Sequence, residues 1–368
     1  MRHPEARLPS GQNLAKKARG PQQNPSMIKY IGSKRKLIAE LLATVQTLPK
    51  VETVLDLFSG TSRVGSALRA HGYRVTANDH NAYAYALAQC YVAADPDRWT
   101  TAASEHIGRF NQMLGEPGYF TRTYCEEARY FQPKNGARVD AIREAISGMS
   151  LPAPLEAILL VSLMEAADRV DSTVGLQMAY LKQWAPRAYN DLSLRLPELV
   201  RGPAGSACML DAFECVRGPS HDLVYLDPPY NQHKYLNNYH VWESLVRWDK
   251  PEVYGIARKR VDCRQYDSPF NSRTRIRSAF EALVDSIDAR YLVVSFSDEG
   301  YVTEAELRAI LERRGPTAVS RVDFRRYVGA QIGIYNPAGI KTGKVGHLRN
   351  QELIFTVACG GGQLPALA

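Results

Sequence analysis

The 368-residue chain has no run of 18 or more apolar residues, so nothing in it predicts a membrane span, and its first 26 residues lack the apolar core of a secretory signal. Its six cysteines, Cys90, Cys125, Cys208, Cys215, Cys263 and Cys359, lack paired metal-ligand spacing and read as reduced thiols of a cytoplasmic protein without a metal. No Gly-Lys-Ser/Thr closes a phosphate loop, and no three spaced glycines form a dinucleotide fingerprint, which disfavours a pyrophosphate ligand. Carboxylates are the minority: 46 Lys and Arg against 38 Asp and Glu leave a formal charge of +8, the sign of a surface that neutralises phosphates. Residues 1–26 are proline, glutamine, asparagine and basic residues with hardly an apolar side chain, a composition that predicts a disordered basic tail.

What the chain does have is Asp227-Pro228-Pro229-Tyr230, entered directly from the strand-like run 223–226. An amino nitrogen conjugated to an aromatic ring is a poor nucleophile, because its lone pair is delocalised and must be drawn toward tetrahedral geometry before attack. An acceptor on each N–H does that. Asp227 can accept one as a charge-assisted bond. The Pro228 carbonyl, held in a rigid turn by prolines of fixed φ, can accept the other. Tyr230 offers a flat face for stacking a base. The tetrapeptide points to methylation of a planar exocyclic amine; alone, it is also a strand ending in a diproline turn, so a cofactor site must accompany it.

Such a site is legible upstream. Residues 53–58 are an apolar strand pattern, followed by Ser59-Gly60-Thr61-Ser62-Arg63-Val64-Gly65 and a helical run through Leu68, which reads as strand, tight glycine turn and helix. In doubly wound sheets this first turn holds a nucleotide-like cofactor, and Gly60 lets it approach the backbone. A second strand, 74–77, ends at Asn78-Asp79, where a carboxylate can grip ribose hydroxyls. A third, 207–211, ends in Asp211, a possible acceptor for an adenine amino group. The set suits an adenosine without a phosphate tail.

Together with Lys29-Tyr30-Ile31-Gly32-Ser33-Lys34, Asp56-Leu57-Phe58-Ser59-Gly60 and Asn78-Asp79, the tetrapeptide resembles the D12 class, or Dam-like group, of site-specific DNA adenine-N6 methyltransferases. The resemblance runs from about Met27 to Phe355 and is weakest between Pro96 and Val200. It implies a doubly wound, Rossmann-like α/β sheet, S-adenosylmethionine as cofactor and double-stranded DNA as partner. It also implies that Tyr30, Lys34, Asp56, Phe58, Gly60, Thr61, Asp79, Asp211 and Asp227 contact the cofactor, and that Asp227, Pro228, Pro229 and Tyr230 hold the target amine. Tyr30 departs from the family pattern, which often has tryptophan there, but keeps the aromatic character.

The cofactor motifs precede the catalytic one, and the long gap between Asp79 and Asp227 is where relatives with this order place target recognition. The expected organisation is a tail at 1–26, cofactor-binding part at 27–94, a mainly helical recognition insertion at 95–200, a catalytic part at 201–358 and a tail at 359–368. Helices are expected over 137–149 and 154–169, the latter with a core stripe of Leu155, Ile158, Leu159, Ser162 and Leu163. The polar aromatic stretches 119–130 and 180–189, with Arg122, Arg129, Lys182 and Arg187, are the candidate DNA contacts. So is the basic run 258–277, where Arg258, Lys259, Arg260, Arg264, Arg273, Arg275 and Arg277 face only Asp262 and Asp267. We expect Arg273, Arg275 and Arg277 to clamp the backbone beside a displaced base, since a duplex hides the adenine amine in its stack.

Strands are expected at 291–297, and at 320–328 paired antiparallel with 352–357; a helix should open at Thr303-Glu304-Glu306. The glycine-rich basic loop 329–349 carries Tyr335, Lys341, Lys344 and His347 as further candidate substrate contacts. Other amines stay open at this stage: cytosine N4, an RNA base or a protein glutamine, as does an inactive DNA-binding module. The DNA reading implies a single copy working alone or beside a cognate restriction endonuclease.

Overall fold

The computed structural model of the chain describes residues 27–32, 34–325 and 349–364. At its centre is a seven-stranded sheet in the order β3-β2-β1-β4-β7-β9-β8. Its members are β1 (Thr53–Asp56), β2 (Arg74–Asn78), β3 (Ser206–Cys208), β4 (His221–Leu226), β7 (Ala289–Ser297), β8 (Thr317–Arg325) and β9 (Arg349–Ala358). A separate hairpin, β5 (Val253–Tyr254) with β6 (Lys259–Arg260), interrupts the numbering. The first five strands in sheet order are parallel, and β9 runs antiparallel to both β7 and β8. This is the doubly wound α/β sheet read from the sequence. The expected antiparallel pair is there, though β8 begins three residues early and β9 sits inside the sheet.

Alternation along the strands feeds two cores. Leu223 and Tyr225 of β4 and Tyr291 and Val293 of β7 enter one face with Ile38, Leu41, Val64 and Leu68 from helices Ile38–Thr47 and Arg63–Ala70. Val224, Leu226, Leu292 and Val294 enter the other, against Phe280 and Leu283 of helix Ile276–Ser286 and Leu307 and Leu311 of helix Glu304–Glu312. Burial of both faces is why β4 and β7 read as near-continuous apolar runs. The last of these helices starts as expected, with a capping box between Thr303 and Glu306.

Residues 95–200 supply the helices Pro96–Gln112, Pro133–Ser147 and Ala153–Arg169, the first capped by the Asp95 side chain. Ala153–Arg169 buries 13 of its 17 residues, including Glu165 and Asp168, so it is a central rod and not the one-sided helix its stripe suggested. It packs with Ile107, Val139 and Ile142 against Tyr83 and Leu87 of helix Ala82–Ala88 and against Trp242 and Leu245 of helix His240–Arg247, in one continuous third core. The helical segment therefore rests on helices that flank the sheet. Among the described residues no helix is long and apolar enough to cross a membrane.

Candidate active site

The chain reverses its direction of winding at β1, which lies between β2 and β4, and ligands of such sheets bind where the carboxyl ends of the strands part. A cavity of about 750 Å³ opens there. Its wall carries Tyr30, Lys34, Asp56, Phe58, Gly60, Thr61, Asp79, Asp211 and Asp227, with Pro229 beside the last. Pro228 and Tyr230 are not on the wall. Tyr230 packs on Phe296 with ring centres 5.5 Å apart, and its carbonyl accepts the Tyr301 N–H at 2.9 Å.

The glycine turn is braced by carboxylates. Asp79 Oδ2 accepts the Gly60 N–H at 2.9 Å, while Oδ1 accepts the backbone and side-chain amides of Asn81 at 2.9 and 3.0 Å. Burial raises the Asp79 carboxyl, and those bonds oppose the rise. Gly60 has φ of +51°, and a Cβ there would lie 3.5 Å from the Tyr30 ring. Asp56, at the end of β1 and 1% exposed, accepts the Gly65 N–H on Oδ2 at 3.0 Å and has no partner on Oδ1. Burial moves its pKa from 3.8 to about 7; the Gly65 bond works against this, and the nearby Asp227 and Asp79 add to it.

Residues 29–32 are pinned across the cavity. The Tyr30 ring stacks on Tyr239 at 4.5 Å and lies near-parallel to Tyr235 at 5.3 Å, and the Ile31 N–H donates to the Tyr239 hydroxyl at 2.6 Å. Gly32 has φ of +74°, and a Cβ there would come within 2.8 Å of the Tyr235 hydroxyl, so any other residue would be strained and would have to displace Tyr235. Lys34, 7% exposed, places Nζ 2.9 Å from Asp227 Oδ1 and also donates to Glu352. Burial alone would lower the Lys34 pKa, but the two carboxylates hold it well above its ordinary value. The Asp227 carboxyl is raised by burial, with Lys34 opposing and Glu352 adding.

A family model described as D12 class N6 adenine-specific DNA methyltransferase matches residues 30–310. The chain belongs to this family. It is 30% identical to the type II methyltransferase M.NlaIII of Neisseria lactamica, over 81% of this chain and 92% of that protein. It is 28% identical to the type II methyltransferase M.FokI of Planomicrobium okeanokoites and to the modification methylase StsI of Streptococcus sanguinis, over 82% and 83% of this chain. It spans half the length of each of those two. Among solved structures, TehB from Haemophilus influenzae overlaps at 10% identity and a TM-score of 0.32, covering 88% of this chain and 62% of that one, too weakly to carry an argument.

As a D12 class methyltransferase, the enzyme takes its methyl group from S-adenosylmethionine, a ligand of net positive charge with ribose hydroxyls. The cavity fits it. Seven carboxylates on the wall face three cations, Lys34, Arg63 and Arg247. Among the buried polar atoms of wall residues, Asp56 Oδ1, Ser59 Oγ and Asn81 Oδ1 lack a protein partner, and a bound ligand or water would complete them. Asp211 caps the short helix Ala212–Cys215 through Oδ1, accepting from the Phe213 N–H, so only its other oxygen is left for a ligand. Among the described residues no acidic, histidine or cysteine cluster could hold a metal, and all six cysteines are free.

The candidate DNA contacts divide. Stretches 119–130 and 180–189 meet: Arg129 donates to the Lys182 carbonyl at 2.7 Å and lies 4.8 Å over the Trp184 ring. The Tyr130 hydroxyl reaches the carbonyls of Gln177 at 2.7 Å and of Ala257, on the β5–β6 hairpin, at 2.9 Å. Arg122, Lys182 and Arg273 are exposed. The segments that meet at Tyr130 also expose apolar side chains, Val174, Met178 and Ile256, the last 82% exposed at the hairpin tip. Other expectations need correction. Phe120, Tyr124 and Tyr130 are core, not surface. Arg187 is turned inward to Asp171 and the Thr173 carbonyl. Arg260 is 1% exposed between Asp249 and Asp262, so the basic run is not one solvated band. Arg275 and Arg277 are exposed but paired with Asp267 and Glu306. Tyr335, Lys341, Lys344, His347 and the 1–26 tail lie outside the described residues.

Some wall residues had no sequence signal. Glu243, which accepts the Ala82 and Tyr83 N–H groups at the start of helix Ala82–Ala88, reads in sequence as an ordinary helix carboxylate. Tyr266 and Phe270 come from a loop the sequence offered only as a basic run. Glu352, which is off the wall but paired with Lys34, was hidden in an apolar strand pattern.

Proposed function

We propose that the enzyme methylates N6 of an adenine rotated out of double-stranded DNA, with Asp227 and the carbonyl of Pro228, which is off the wall but lies in the chain between the wall residues Asp227 and Pro229, as the two acceptors of the amine hydrogens. The observation that carries this is the Asp227 carboxylate on the wall of the cavity that also gathers the cofactor residues, with Lys34 holding Oδ1 and leaving Oδ2 for the amine. S-adenosylmethionine, when bound, supplies a methyl group activated by its positive sulfur. Asp56 and Asp79 would take the ammonium and the ribose, Tyr30 and Phe58 would cover apolar parts, and Gly60 and Thr61 would allow close approach. The two acceptors localise the N6 lone pair, which forms the new bond to the methyl carbon as the carbon–sulfur pair returns to sulfur. The surplus N6 proton leaves along the hydrogen bond to Asp227, and because the methylated cation is strongly acidic no dedicated base is needed.

The duplex would lie over the face formed by Arg122, Arg129, Lys182 and the β5–β6 hairpin, with Arg273, Arg275 and Arg277 at its side. Apolar residues beside basic ones suit a face that must both hold phosphates and fill the gap left by an extruded base. The relatives named as type II methyltransferases and modification methylases support a role in protecting DNA from a partner endonuclease, and the enzyme would act as a single copy.

The test is a pair of variants in a tritium-transfer assay on plasmid DNA, with RNA as the control substrate. Asp227→Ala should abolish methylation while leaving cofactor affinity within a few fold. Asp79→Ala should chiefly weaken the cofactor. The reverse pattern, or transfer to RNA alone, would refute the assignment.

A further inference from the structure

Glu352 lies on β9 opposite Ser297 of β7 and is 7% exposed, yet it is not on the cavity wall. Its Oε1 accepts from Lys34 Nζ and from the Ser295 hydroxyl, the latter at 2.8 Å. A buried carboxylate in the middle of a sheet is costly unless paired, and hydrophobic side chains would fill such a place at least as well. Among the described residues its one charged partner is the ammonium that also binds the Asp227 carboxylate. With Lys34 alone, Asp227 would face a full buried positive charge and would be a weaker acceptor for an amine hydrogen. Glu352 divides that charge.

We propose that Glu352 is a positioning residue for methyl transfer, sharing Lys34 so that the Asp227 carboxylate keeps both its orientation and its strength as a hydrogen-bond acceptor. This rests on the reading of Asp227 given above. Besides Lys34 and Glu352, the titratable groups facing Asp227 are Asp56 from β1, Tyr225 from β4, and Tyr230 and Tyr235 from the segment after it. Burial raises all three tyrosines, so they stay neutral across an ordinary assay range. Asp56 belongs to the cofactor subsite, and saturating cofactor holds it in one state.

Glu352→Gln keeps the shape and an acceptor for Ser295 while removing the charge. We expect cofactor Kd within about threefold, kcat on plasmid DNA lower by about tenfold, and the acid limb of the kcat profile moved to lower pH by about one unit, the tenfold equivalent of one pKa unit. Glu352→Asp should fall between. Ser295→Ala, which leaves Glu352 freer to draw Lys34 away from Asp227, should move the limb the opposite way and serves if Glu352→Gln fails to fold. A folded Glu352→Gln enzyme with unchanged kcat and unchanged limb, or a Ser295→Ala limb that moves down, would overturn the inference. If Asp227→Ala still methylates, the failure lies in the reading of Asp227 and not in Glu352.

Discussion

Asp56 offers a test in which stability and cofactor affinity should move in opposite directions. Its carboxyl is 1% exposed, satisfied on one oxygen only, and raised from 3.8 to about 7, chiefly by burial. A raised carboxyl contributes stability that is fully present below the unfolded-state pKa and is lost as pH rises through the folded value, so here the loss spans about pH 4 to 7. At about 1.4 kcal/mol per unit, the displacement corresponds to a cost of up to about 4 kcal/mol in the ligand-free protein above pH 7. Asp56→Asn removes the charge, and the asparagine oxygen can still accept the Gly65 N–H. Thermal melts should therefore show the variant several degrees more stable than wild type at pH 8 and nearly equal to it at pH 4. Calorimetric titration at pH 8 should show S-adenosylmethionine bound at least about tenfold more weakly, because a cation has lost a buried counter-charge. The wild-type affinity should itself fall as pH drops below about 7. An Asp56→Asn protein no more stable than wild type at pH 8, or equally shifted at both pH values, would refute the argument that burial of this charge is tolerated for the sake of the cofactor.

Arg260→Ala should cost about 1–3 kcal/mol in chemical denaturation, since it removes the buried guanidinium from Asp249 and Asp262, which are one-third exposed and keep Arg247 as a partner, and should leave the salt slope of DNA binding unchanged. Neutralising Arg273, Arg275 and Arg277 together should do the reverse, flattening that slope with little loss of stability; a steeper cost to folding than to binding would count against the clamp. Ile256→Ser, at the exposed hairpin tip, should slow methylation of a paired adenine several-fold and recover on a duplex where the target adenine is mismatched. Equal slowing on both substrates would remove the hairpin from base extrusion.

The sheet and the cofactor turn were legible because each is a local pattern: the near-continuous apolar runs of β4 and β7, the glycine turn after β1 and the acidic residues at the strand ends carry their meaning within a few residues. The three cores were not, because helix Ala153–Arg169 looks one-sided in isolation and is surrounded only when Tyr83, Val139 and Trp242 arrive from segments far away in the chain. Charge was the least legible quantity. Arg187, Arg260 and Arg273 are the same residue type in basic surroundings, yet one is turned inward to Asp171, one is sealed between Asp249 and Asp262, and one is exposed. Composition registers all three as positive, while only an exposed charge can release counterions from DNA. The same reasoning explains why Glu352 escaped notice: a carboxylate in an apolar strand has meaning only through the ammonium it meets, and Lys34 is more than three hundred residues away.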